Sequence, residues 1–96
     1  MKNSLTLILQ DSLKSCVSQG LLADVGLPFI DLETTKDVNH GDYASNIAMV
    51  LASRLKMNPR TIADTIIAKV ADRVDFIEKI EIAGPGFINF FIKKNI

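Results

Sequence analysis

Ninety-six residues carry eleven Lys and Arg against eleven Asp and Glu, and that balance excludes a domain that holds nucleic acid by phosphate neutralisation alone. Hydrophobic residues make up 48% of the chain and mean hydropathy is +0.24, which excludes intrinsic disorder, while the length fits one small domain over residues 1–96. The neutrality hides an asymmetry: residues 1–48 sum to −3 and residues 49–96 to +3.

The chain opens on a helical pattern, with Leu5, Ile8, Leu9, Leu13, Cys16 and Val17 on one stripe and Gly20 as its stop. Asn3 or Ser4 is the expected N-cap. After Gly26-Leu27-Pro28, the residues Ile30, Leu32 and Thr34 alternate with Asp31, Glu33 and Thr35, which predicts a half-buried strand. A further short strand is expected near Val38–Gly41. Ala44, Ile47, Ala48, Leu51, Ala52 and Leu55 predict a second helix, with Asp42 placed to cap it. Asn58-Pro59 predicts the start of a third, since proline's missing N–H costs nothing at the first helical position. Its apolar face runs through Ile62, Ala63, Ile66, Ile67, Val70, Ala71 and Val74. The remainder predicts a hairpin: Ile80 and Ile82 alternate with charges, Gly84-Pro85-Gly86 turns, and Phe87–Ile92 returns. Ile77 is out of phase with Ile80 and Ile82, so the first strand of the hairpin starts late or carries a bulge. The economical architecture is α+β and two-layered, with helices on one face of a small antiparallel sheet of three to four strands.

Few residues offer catalytic chemistry. His40 is the lone histidine, with no evident nucleophile beside it, so a structural or solvated role is expected. Cys16 is the single cysteine, which forbids an internal disulfide and suits a reducing cytosol. No Cys/His cluster suggests a metal site, and no cofactor motif occurs: Gly84-Pro85-Gly86 lacks the lysine and following helix of a phosphate loop. The longest apolar run, Ile47–Ala52, is far short of a membrane span, and the Leu5–Leu9 stretch lacks the cleavage site of a signal peptide.

The last strand is more informative. Alternation puts Ile88, Phe90 and Ile92 on one face and Phe87, Asn89 and Phe91 on the other, followed by Lys93 and Lys94. An aromatic ring stacks on an unpaired base and a neighbouring amide bonds to its edge, as in single-strand RNA sites. A strand buried on both faces, with Asn89 satisfied internally, is the competing reading. Arg54, Lys56 and Arg60 cluster around the junction of helices two and three, where they are either phosphate contacts or a solvated surface.

Three blocks then stand out: His40-Gly41-Asp42-Tyr43-Ala44-Ser45-Asn46, Asn58-Pro59-Arg60-Thr61-Ile62-Ala63, and Ile80 through Phe91 with its Ala-Gly-Pro-Gly-Phe-Ile-Asn-Phe core. Together they resemble the N-terminal additional domain of bacterial arginyl-tRNA synthetases, in register along essentially the whole chain. The resemblance implies a parent arginine–tRNA ligase of class I that uses ATP and Mg²⁺ in the cytosol. It implies a domain that leans on the outer corner of tRNA(Arg) and touches the D-loop, with Phe87 and Asn89 reading a base there. Phe91, Lys93 and Lys94 are added only by the facing argument. The Gly41-Asp42-Tyr43 block, which opens the second helix in this reading, and the Gly84-Pro85-Gly86 turn are structural. The His-Ile-Gly-His-like and Lys-Met-Ser-Lys-like signatures of the catalytic domain are not in the sequence, so the chain reads as an excised domain without catalysis of its own. Its partners are then tRNA(Arg) and its own catalytic domain. A docking module that binds no RNA is the rival, because a Phe87/Phe91 face also suits a covered surface. A small-molecule regulatory domain is the weakest option, for want of converging polar groups.

Overall fold

The computed structural model describes residues 2–26, 30, 32–36, 38–70 and 75–93. They form three α-helices, α1 (Lys2–Ser18), α2 (Ile47–Leu55) and α3 (Pro59–Val70). A short 3-10 helix covers Val38–His40, and the strands are β1 (Leu32–Thr34), β2 (Tyr43–Ser45), β3 (Ile77–Ala83) and β4 (Phe87–Ile92). The sheet is antiparallel throughout, in the order β1-β2-β4-β3, so the last strand in the chain is internal. This is the α+β arrangement expected from the hydrophobic pattern.

Helix α1 buries Leu5, Leu9, Ser12, Leu13 and Cys16 along one stripe against α3. Ser12 is tolerated there because its hydroxyl donates to the Ile8 carbonyl at 2.8 Å. The helix ends in paired bonds, Leu21 N–H to the Cys16 carbonyl (2.8 Å) and Gly20 N–H to that of Val17 (3.0 Å), a Schellman closure with Gly20 in the left-handed position. Asn3 and Ser4 are not its caps, because the helix already includes them. Asn58 does cap α3: its Oδ1 accepts the Arg60 amide at 2.8 Å, two residues on, as a proline at the first helical position requires. Ile62, Ala63, Ile66 and Val70 form the buried face of α3, and Ile47, Ala48 and Leu51 that of α2. Ala71 and Val74, expected to extend the α3 face, lie outside the described residues, as do Leu27, Pro28 and Asp31.

Both helices cover the sheet face that carries Ile88, Phe90 and Ile92, with Phe90 fully buried. The register is regular on that face: Ser45, Ile88 and Ile82 lie in one cross-strand row, and Tyr43, Phe90 and Ile80 in the next. A register shift between Ile77 and Lys79 supplies the bulge that the phase of Ile77 predicted. Two expectations are corrected. The 38–41 segment is a 3-10 turn, not a strand; the extra strand is Tyr43–Ser45, which the sequence pattern had assigned to the second helix. Helix α2 therefore starts at Ile47, and Asp42 does not cap it; the Ser45 hydroxyl accepts the Ile47 amide at 3.2 Å instead.

Candidate nucleic-acid interface

Strand β4 presents two faces of opposite character. On the face away from the helices, Phe87 is 40% exposed, Asn89 is only 4% exposed, and Phe91 is half-buried. The side-chain amide of Asn89 makes no hydrogen bond to any described residue, yet its polar atoms keep contact with solvent. An amide in that state is costly unless something completes its bonding, because burial strips it of most of its water. The cross-strand neighbours of Asn89 are Ala44 on β2 and Glu81 on β3, and Glu33 continues the row on β1. Ala44, the partner on β2, is the smallest side chain in that row, and Phe87 is two residues before Asn89 on the same face of β4. Burial on both faces does hold for most of β4, with Phe87 the exposed exception, but no hydrogen bond from the Asn89 side chain to a described residue satisfies it internally.

The two aromatic residues differ. The Phe87 ring lies over the hairpin turn, 3.8 Å from the position of a Cβ on Gly84, and the residue is the most exposed on β4. Phe91 carries the Lys79 ammonium 4.4 Å from its ring centroid, and its edge lies against Gly41. Lys79 also approaches Glu81, its Nζ 3.8 Å from the carboxylate, with both side chains about half exposed at 54% and 51%. Neither Lys79 nor Glu81 stood out in the sequence, because charges on an outer strand face are the default pattern of a solvated edge.

The hairpin that offers Phe87 is anchored to the start of α3. Arg60 Nη1 donates to the Gly84 carbonyl at 2.6 Å, and a Cβ on Gly86 would lie 2.8 Å from that of Pro59. Turn and helix therefore touch with no room for a side chain between them. Gly84-Pro85-Gly86 is thus a structural turn, closed by the Gly86 amide bonding the Ala83 carbonyl at 3.2 Å.

The Gly41-Asp42-Tyr43 block does its structural work on β4, not on α2. The Asp42 amide donates to the Phe90 carbonyl (2.8 Å), and Asp42 Oδ2 accepts the Ile92 amide (2.8 Å). Tyr43 then opens β2 opposite Phe90. Thr35 secures the outside of the loop, donating its amide to Asp42 and its hydroxyl to the Gly41 carbonyl. The block therefore clamps the strand that carries Asn89 and Phe91.

The basic residues separate. Arg60 is tied to the hairpin as described. Arg54 and Lys56 are exposed at the C-terminal end of α2, Lys56 in the left-handed conformation (φ 54°), and no hydrogen bond or ion pair joins either to the sheet. Lys93 is exposed where β4 ends, and its amide donates to the Phe76 carbonyl at 2.9 Å; Lys94 lies outside the described residues.

Other chemistry is sparse. His40 is exposed in the 3-10 turn. Cys16 is buried, its thiol 3.7 Å from the Thr65 carbonyl; burial pushes its pKa above the ordinary value, with Lys69 pulling weakly the other way. A cavity of about 350 Å³ between the end of α1 and α2 is lined chiefly by Leu13, Val17, Leu22, Leu51 and Leu55, well away from β4. Among the described residues no group of three or more His, Cys, Asp or Glu converges to hold a metal ion, and no helix is long and apolar enough to cross a membrane.

Comparison with known structures gives the fold first, and sequence comparison then gives the family. The chain is similar to part of the crystal structure of arginyl-tRNA synthetase from Plasmodium falciparum, with a TM-score of 0.79, 18% identity, and coverage of 98% of this chain and 16% of that one. The arginyl-tRNA synthetase of Thermus thermophilus gives 0.66 at 22% identity, over 97% of this chain and 14% of that one. In sequence the chain is 47% identical over 91 residues to an arginine–tRNA ligase of Stutzerimonas stutzeri and 42% identical over 93 residues to one of Citrifermentans bemidjiense. Those alignments take in 95% and 97% of this chain but only 16% and 17% of the relatives' length. The model of the arginyl tRNA synthetase N terminal domain matches residues 3–92, and the chain belongs to that family.

Proposed function

We propose that residues 1–96 are the tRNA-recognition domain of an arginine–tRNA ligase, and that the exposed β4 face contacts the D-loop at the outer corner of tRNA(Arg). The observation that carries this reading is Asn89: a carboxamide nine-tenths buried, without an internal partner, beside an exposed aromatic ring. Phe87 stacks on an unpaired base and the amide bonds its edge, so recognition rests on base contacts and needs little net positive charge. Arg60, held at the turn beneath Phe87, is the one member of the 54–60 basic cluster joined to this site, whereas Arg54 and Lys56 point to a phosphate contact elsewhere along the tRNA or to a solvated surface.

The remaining chemistry belongs to the parent. A full-length ligase supplies the catalytic domain, the natural intramolecular partner of this one, and attaches arginine with ATP and Mg²⁺ in the cytosol. In this reading the present domain acts on affinity and orientation of the tRNA.

The test is Phe87→Ala in the full-length ligase. Loss of one base stack costs about 1–3 kcal/mol of tRNA affinity. KM for tRNA(Arg) should rise accordingly, with kcat at saturating tRNA little changed. Unchanged tRNA affinity in a folded variant would refute the assignment. D-loop footprinting with and without residues 1–96 separates this reading from a docking role, since protection independent of the domain would assign the face to a protein neighbour.

A further inference from the structure

We propose that Lys79 contacts the phosphate of the nucleotide read by Asn89, and that Phe91 is the seat of this lysine, not a second stacking platform. The inference rests on the reading of the β4 face as a tRNA surface and adds a residue and a division of labour to it.

Register places the lysine. Lys79 pairs with Phe91, and the next outer-face row pairs Glu81 with Asn89, so Lys79 is the diagonal neighbour of the reading amide. Such neighbours lie about 7–8 Å apart, within reach of a long side chain and within the span of one nucleotide from base edge to phosphate. The basic residues of the α2–α3 junction have no such position: Arg54 and Lys56 belong to the helical layer, and Arg60 already spends a donor on Gly84.

Contacts then fix how the lysine is held. Its ammonium stands over the Phe91 ring, 4.4 Å from the centroid, while its nearest carboxylate oxygen, on Glu81, is 3.8 Å away. The first distance is a good cation–π contact, and the second is beyond hydrogen-bond range. The ring therefore helps position the charge while no hydrogen-bond acceptor among the described residues takes the ammonium's N–H groups, and the side chain stays 54% exposed. The exposed Glu81 pair adds only a weak, salt-screened hold that a phosphate can outcompete. Phe91 is less available for that reason: a base stacking on the ring face that carries the ammonium would have to displace the lysine, and a ring carbon already lies against Gly41.

The two roles differ in salt dependence. In the full-length ligase, the Kd for a tRNA(Arg) transcript is measured from about 50 to 500 mM KCl. Lys79→Gln should lower the slope of log Kd against log salt by about 0.7, the value of one single-strand phosphate contact. That corresponds to roughly five-fold weaker binding at 0.1 M, fading toward 1 M. Lys79→Arg should keep the slope. Phe91→Leu should lower it as Lys79→Gln does, whereas Phe87→Ala should weaken binding by the same factor at every salt concentration. Because Lys79 is exposed, its variants keep the fold. An unchanged slope in Lys79→Gln, with Phe87→Ala still weakened, overturns the phosphate contact. An equal loss of slope in Lys14→Gln, on α1, also overturns it, because net charge alone would then explain the effect. Phe91→Leu behaving like Phe87→Ala overturns the seat. If neither Phe87→Ala nor Lys79→Gln alters affinity, the underlying reading of the face is what fails.

Discussion

Replacing Gly41 with alanine isolates the contribution of the clamp that holds β4. Gly41 has φ +82°, and an added Cβ would lie 2.6 Å from the Phe90 carbonyl oxygen and 3.2 Å from the Phe91 ring. The backbone conformation alone costs an alanine about 1–2 kcal/mol. Strand β4 is paired on both sides and cannot recede, so the loop must lift instead. Lifting it strains the bonds between Asp42 and β4, from its amide to Phe90 and from Ile92 to its carboxylate, each worth about 1 kcal/mol. The sum is about 3–4 kcal/mol, a large part of the ~5–15 kcal/mol that stabilises a domain of this size. Gly26 provides the control, since its φ is +83° but nothing lies within 4 Å of an added Cβ. Gly26→Ala should therefore cost only the ~1–2 kcal/mol of conformation. Guanidinium denaturation followed by circular dichroism gives both values. Two variants that agree within ~0.5 kcal/mol would refute the clamp, whatever their common loss.

Two further outcomes follow from local contacts. Asn58→Ala should destabilise the domain by about 1 kcal/mol through loss of the α3 cap, measured by the same denaturation; no change would mean that solvent satisfies the Arg60 amide equally well. For Cys16, the pKa is raised above about 9 in the folded chain, so the unfolded chain releases this proton first. Its contribution is intact at neutral pH and is lost as pH climbs past that value. The stability difference between the wild-type chain and Cys16→Ala should therefore shrink between pH 8 and 10.5, and a constant difference would refute the burial argument.

The legible parts of the fold are those with long periodicity or local chemistry. Helix α3 was readable from its apolar stripe and from Asn58-Pro59, because capping is decided within four residues. The hairpin was readable from its glycines, and the bulge from the phase of Ile77. Strand β2 was not, because three residues are too few to show alternation and Ala44 fits the helical repeat that follows. The role of Gly41-Asp42 was hidden for a different reason: its partners, Phe90 and Ile92, lie some fifty residues away. At the candidate site, alternation was sufficient to place Phe87, Asn89 and Phe91 on one face. It could not distinguish the open ring from the one beneath a lysine, since that contact depends on the register of β3 against β4.

The strand order has a consequence for how the domain comes into being. Among the described strands β4 alone pairs with both β2 and β3, so the four-stranded sheet cannot close until residues 87–92 have left the ribosome. Until then β1 and β2 form a three-residue ribbon and β3 has no strand partner, neither of which persists as a sheet in water. Pairing of β4 with β3 is local, whereas its pairing with β2 joins segments more than forty residues apart. The segment that completes the architecture is the same one that bears Phe87 and Asn89. An unfinished chain therefore exposes no partial version of this surface to the RNA around it.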